Sequence, residues 1–124
     1  MEDKLSLFLD QKYVSLETYK KDGTPVRTPV WFMIDSDIVY VVTREKTGKV
    51  KRLKNNHDVR IVLCSFKGEP KNEWIKGKAE KITGEKADIV IKLRKKKYGM
   101  SARLIGLFTS QKGNLVVYSI KIMD

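Results

Sequence analysis

KYVSLETYKKDGTPVRTPVWF, residues 12–32, lays out two strands and the turn between them. From Tyr13 to Tyr19, Val14, Leu16 and Thr18 alternate with Tyr13, Ser15, Glu17 and Tyr19, which puts one row on each side of a sheet. Asp22-Gly23 then supplies a hairpin turn. The return strand runs from about Pro25 to Ile34, with Val26, Thr28, Val30, Phe32 and Ile34 on one face and Arg27, Pro29, Trp31 and Met33 on the other. Both faces are largely apolar along its second half. Such a strand is expected to be covered twice, by its own core on one side and by a partner subunit or a flat ligand on the other; Trp31 and Met33 therefore predict a homodimer. Pro29 has no N–H to give to a ladder, which predicts an edge or a bulge where backbone groups can meet a ligand.

Downstream, Asp35 to Asp37 makes a second tight turn into the apolar strand Ile38 to Thr43, and the stretch TREKTGKVKRL, residues 43–53, follows. Thr47-Gly48 can start a helix there, leaving its first free N–H groups beside Lys49. At about 100° per residue, Lys49 and Arg52 share one face, Val50 and Leu53 an adjacent one, and Lys51 and Lys54 a third. Two cations aimed at one place, reinforced by the helix dipole, outline a site for a phosphate or carboxylate. A Lys-rich helix with ordinary turn chemistry gives the same spacing, so the pattern alone does not decide.

Asn55-Asn56 ends this helix, and Val59 to Phe66 reads as a fourth strand. Glu73 to Ile82 reads as a fifth, in which Gly77 leaves room for a close approach. From Thr83 or Gly84 a second helix begins, with Ala87, Val90, Ile91 and Arg94 on one side; it runs through KLRKKK, residues 92–97, and Gly99 can stop it. That basic run reads first as a solvated face and second as a binding surface. Leu5, Phe8 and Leu9 predict a short amphipathic helix at the start, Met100 to Thr109 another helix or turn, and Asn114 to Ile122 a sixth strand. No repeat or linker divides the chain, so residues 1–124 are expected to form one domain.

The chain carries a formal net charge of +11 and 41% hydrophobic residues, enough for a real core. No apolar run approaches a bilayer span, and the acidic start MEDK lacks a signal peptide's basic region, so the expected location is cytoplasmic, with no membrane partner. Cys64 and His57 are each the only residue of their kind, which argues against a disulfide framework, a metal site or a Ser-His triad. The charge favours anionic partners without choosing among them. A barrel for single-stranded nucleic acid interleaves aromatics with its cations, and Lys49 to Lys54 and Lys92 to Lys97 contain none, so nucleic acid ranks last.

Five or six short antiparallel strands with few helices predict a mainly β fold, a closed or nearly closed small barrel, an outline that OB-folds and SH3-like barrels share. In order, KYVSLETYKKDGTPVRTPVWF, VYVVT, TGKVKRLKNN, KGKAE and RKKKYG resemble the pyridoxamine-phosphate-oxidase-like superfamily, that is, the six-stranded antiparallel split barrel of FMN-binding type. Within it the sequence is most similar to the small F420-dependent oxidoreductases, with their DGTPVxTPVW hairpin, SGKVKRL helix start and late KYG. The resemblance spans Lys12 to Gly99. It implies that F420, or alternatively FMN, lies in a groove at a homodimer interface, its phosphate at the strand-to-helix step and its ring along the hairpin strand. Carried over by motif, Thr43, Lys49 and Arg52 would hold phosphate beside Val50, while Thr28, Pro29, Val30 and Trp31 would line the ring. Arg27 is a further phosphate candidate, at a position where F420-type members vary. Trp74 joins the cofactor set, although Trp31 and Trp74 serve equally well as core residues.

The chain departs from true pyridoxamine phosphate oxidases. Their RxxxxK pattern would need a lysine where Phe32 follows Arg27, and the ending VVYSIKIMD lacks their substrate motif of Trp and Arg, so vitamin B6 oxidation is not expected. No general acid or base stands out, and catalytic residues stay unassigned; in this chemistry the cofactor carries the hydride and the protein orients it. The implied activity is hydride transfer to an unsaturated small molecule, with a cofactor carrier or sensor as the alternative.

Overall fold

The structure, a computed structural model, describes residues 8, 11–65, 69–98 and 114–123. Its strands are β1 (Tyr13–Tyr19), β2 (Pro25–Trp31), β3 (Met33–Asp35), β4 (Ile38–Arg44), β5 (Asp58–Leu63), β6 (Ile75–Ile82) and β7 (Leu115–Ile122), with helices α1 (Gly48–Asn55) and α2 (Glu85–Tyr98). All seven strands join one sheet in the order β2-β1-β5-β6-β7-β4-β3, and every pairing is antiparallel. The sheet curls until β2 meets β4, giving a mainly β, half-closed split barrel. The expected helices around Leu5 and Met100, and the stop at Gly99, lie outside the described residues.

One strand more than expected arises because the return strand breaks at Phe32. Its first part, β2, pairs with β1 in the register Val14 to Val30 at one edge of the sheet, and its second part, β3, pairs with β4 at the other edge. Side chains from α2 take over the backbone of Phe32 at the break. Its N–H donates to the Tyr98 hydroxyl at 2.9 Å, and its carbonyl accepts from Lys97 Nζ at 2.8 Å. This corner carries the chain from one sheet edge to the other.

Two apolar clusters result. Val14, Leu16, Val39, Val41, Ile61 and Ile120 fill the barrel side, where Val50 and Leu53 of α1 pack. Met33, Tyr40, Val42 and Val117 lie on the opposite side under Val90 of α2. The alternation of Val39 and Val41 with Tyr40 and Val42 thus buries β4 on both faces. Of the apolar row expected to be covered by a partner subunit or a flat ligand, Met33 is 3% exposed beneath α2, while Trp31 stacks on Tyr98 and stays half-buried and Pro29 is exposed.

Local chemistry explains the turns. Ser36 and Asp37 both adopt positive φ, as a tight two-residue hairpin turn requires. Gly84, at φ +74, makes the left-handed step into α2. Thr47 holds the N-cap position of α1 in extended backbone, but its hydroxyl donates back to the Arg44 carbonyl at 2.9 Å and makes no side-chain cap. No helix among the described residues is long and apolar enough to cross a membrane.

Candidate functional site

Where β2 meets β4, the sheet leaves a groove of about 310 Å³. β2 contributes Pro29, Val30 and Trp31, joined by Tyr13 of β1. β4 contributes Val42, Thr43 and Arg44, with Leu115 paired across from Arg44 in β7. Lys49 reaches it from α1 and Arg94 from α2. Strand order makes the position possible: β2 is an edge strand, as the missing N–H of Pro29 requires, so part of its backbone faces away from any ladder.

Aromatic and cationic groups meet in the groove. Trp31 lies flat on Tyr98, and the Arg94 guanidinium sits 5.5 Å from the centre of the Trp31 ring. Arg94 is 9% exposed, and its Nε is buried with no hydrogen-bond partner. Burial, with Arg44 as a like charge, lowers its pKa from the ordinary guanidinium value. The Tyr98 hydroxyl accepts from the Phe32 N–H and shares its one hydrogen between the carbonyls of Lys12, at 2.8 Å, and Phe32, at 2.9 Å. Burial pushes this phenol up to about 12, so it stays neutral and holds those bonds across the physiological range.

Of the residues singled out from sequence, Pro29, Val30, Trp31, Thr43 and Lys49 come together in the groove. The others do not line it. Arg27 is tied to Glu17, Nε to Oε2 at 2.7 Å, and lies over Trp74 at 4.7 Å. Trp74 lies under the Arg27 and Arg60 guanidinium groups, at 4.7 and 5.5 Å from its ring centre. Arg52 donates from Nε to Thr18 Oγ1 at 2.6 Å, and its guanidinium covers Gly48. Val50 is buried under α1, and Thr28 Oγ1 is buried without a partner. Sequence reasoning missed Tyr13, Arg44 and Arg94. The signal for Arg94 was its place on the apolar side of α2 with Val90 and Ile91, which the surrounding lysine run masked.

A second polar cluster ties β2, β1 and β5 together. Glu17 is fully buried between Arg27 and Arg60, each on a neighbouring strand directly opposite it, and also accepts from the Tyr19 hydroxyl at 2.6 Å. His57 lies in a different cavity, its Nδ1 2.9 Å from the Ala79 carbonyl. Cys64 is buried, and burial raises its thiol pKa.

A family model described as pyridoxamine 5'-phosphate oxidase matches residues 1–124. No curated protein matches the sequence. Among solved structures, the chain is similar to HutZ, the heme storage protein from Vibrio cholerae, with a TM-score of 0.75 and 17% identity over 99% of this chain and 90% of that one. It is similar to an F420 reductase, with a TM-score of 0.65 and 18% identity over 97% and 93%. It is also similar to an FAD-binding protein from Mesorhizobium loti, with a TM-score of 0.64 and 15% identity over 99% and 87%. At these identities the likeness is one of fold.

Proposed function

The chain belongs to the pyridoxamine 5'-phosphate oxidase family, and from that premise we propose that it is a cofactor-dependent oxidoreductase, binding F420, or alternatively FMN, in the groove between β2 and β4. One observation carries this reading: the flat apolar surface of Pro29, Val30 and Trp31 shares a groove with Thr43 and Lys49 at the step from strand to helix. A tricyclic ring needs such a surface and a few hydrogen bonds at its edge. A phosphate keeps its charge at neutral pH and needs fixed donors and cations. The residues present fit both demands.

In this reading the Thr43 hydroxyl and the Lys49 ammonium hold the phosphate, while Pro29 and Trp31 cover one face of the ring and exclude water from it. Tyr98 keeps Trp31 flat from behind. A bound cofactor in its reduced form would supply a hydride for an unsaturated small molecule held in the groove. A net charge of +11 favours F420, whose polyglutamate tail is more anionic than FMN. A second copy of the chain enters the reading from the family resemblance and from the exposed Pro29 and half-buried Trp31 of β2; light scattering giving the mass of two chains is the expected result. The cytoplasm is the proposed compartment, in keeping with a single buried thiol.

A carrier would make the same contacts and differ only in turnover. The visible absorbance spectrum of the purified protein, followed by reoxidation of the reduced cofactor by added enones and quinones, tests both steps. Binding of neither F420 nor FMN would overturn the reading, and binding without reoxidation would leave the carrier.

A further inference from the structure

Among the described residues, Arg94 is a charge buried without a counter-charge. Within the run from Lys92 to Lys97 the four lysines are exposed, while Arg94 is turned inward and 9% exposed. Its Nε has no partner, and no carboxylate of the described residues pairs with it. The charge that acts on it most is that of Arg44, which has the same sign. An apolar residue beside Val90 and Ile91 would pack there with no such cost, so the fold gains nothing from a guanidinium at this place. The face of Trp31 compensates it only in part. What remains is a donor fork, held by packing, that lines the same groove as Arg44 and Lys49.

We propose that Arg94 is the oxyanion receptor of the groove, taking a pair of phosphate or carboxylate oxygens of the bound ligand between its guanidinium and Arg44 at the Trp31 wall. The inference rests on the reading of this groove as the ligand site, but not on which cofactor fills it. Two sources share the chemistry, the phosphate of the cofactor and a carboxylate of the hydride acceptor. Arg94 would then select anionic ligands, and a neutral analogue of the same shape would gain nothing from it.

The test compares the wild-type chain with Arg94→Met, Arg94→Lys and the exposed control Lys51→Ala in buffer free of phosphate and carboxylate. Thermal melting is followed with inorganic pyrophosphate, and tryptophan fluorescence with FMN, riboflavin, F420, crotonate and crotonamide. Pyrophosphate is expected to raise the melting temperature of the wild type and of Lys51→Ala but not of Arg94→Met, with Arg94→Lys between, since an ammonium lacks the fork. FMN binding weakened about tenfold by Arg94→Met, with riboflavin unaffected, assigns the phosphate as the source. Crotonate binding that depends on Arg94, with crotonamide unaffected, assigns the acceptor. Equal binding of every anion to wild type and Arg94→Met overturns the proposal; if Arg94→Met does not fold, equal binding to Arg94→Lys does so. If pyrophosphate acts through Arg94 while neither FMN nor F420 binds any of the proteins, the cofactor reading falls and the receptor stands.

Discussion

Tyr98 lies flat against Trp31, with ring centroids 4.2 Å apart and planes 9° from parallel, and its hydroxyl accepts from the N–H of Phe32, the residue that follows Trp31. One side chain of α2 therefore fixes both the ring wall of the groove and the corner where the sheet changes edge. Tyr98→Phe keeps the stack and leaves the Phe32 N–H without its acceptor, for an expected loss of about 1–3 kcal/mol in stability with ligand binding nearly unchanged. Tyr98→Leu also loses the stack, a further ~0.5–1.5 kcal/mol, and releases Trp31, so binding in the groove should weaken as well. Urea unfolding and ligand titration of the two variants separate these effects. Equal ligand affinity in both would show that the stack does not hold the wall.

Glu17 makes stability depend on acid. Burial would raise its pKa, but hydrogen bonds from Arg60, Tyr19 and Arg27 outweigh burial and bring it from 4.5 down to about 2. A carboxylate depressed in the folded state stabilises fully above its unfolded pKa, and that contribution is lost as pH falls through the folded value. Between about 4.5 and 2 the protein should lose on the order of 2–3 kcal/mol, a figure held down because Arg27 is 52% exposed and solvent screens it. Glu17→Gln should abolish this acid limb and lower stability at neutral pH by about 2 kcal/mol, leaving two guanidinium groups facing each other. Denaturant unfolding across a pH series reads both effects. An unchanged acid limb in the variant would remove Glu17 as its source.

The hairpin was legible because its information is local. Asp22-Gly23 sets a register in which Glu17 faces Arg27 and Tyr13 faces Trp31, so the ion pair across the hairpin follows from the position of the turn alone. The break at Phe32 was not legible, since the groups that take over its backbone, Lys97 and Tyr98, lie 65 and 66 residues away. Part of the groove was legible as a location, because the resemblance to the split-barrel family assigns Pro29, Trp31, Thr43 and Lys49 to one site, and all four line the groove. Periodicity gives direction but not reach. Arg52 is long enough to leave the shared face and find Thr18, and Arg94 is buried although the lysines around it are exposed residues.

Gly77 tests whether room in a strand means a ligand. A Cβ at this position would stand 2.8 Å from Ile120 Cγ2 and 3.0 Å from the Lys121 carbonyl oxygen, so the close approach read from sequence is that of the neighbouring strand β7. Because the carbonyl belongs to a paired strand, it cannot step aside cheaply. Gly77→Ala should cost about 1–3 kcal/mol and lower the melting temperature while leaving affinity in the groove intact. A variant as stable as wild type would mean that β6 and β7 separate more easily than their ladder suggests.

Lys49 and Arg52, expected from sequence to act together, should now separate in experiment. Lys49 lines the groove, so Lys49→Ala should weaken cofactor binding about tenfold, the factor that corresponds to about 1.4 kcal/mol, with little change in stability. Arg52 is the hydrogen-bond partner of Thr18, whose side chain is fully buried; Arg52→Ala should cost about 1 kcal/mol of stability and weaken binding less than Lys49→Ala does. Lys51→Ala and Lys54→Ala remove the same charge from exposed positions of α1 and serve as controls. Their small losses in affinity should fade as salt rises, because only a screened field is lost, whereas the loss at Lys49 should persist. Calorimetric titration at two salt concentrations, paired with urea unfolding of the unliganded variants, reads all four. If the four variants lost affinity equally and salt abolished every loss, the attraction would be a diffuse field, and the contact assigned to Lys49 would be wrong.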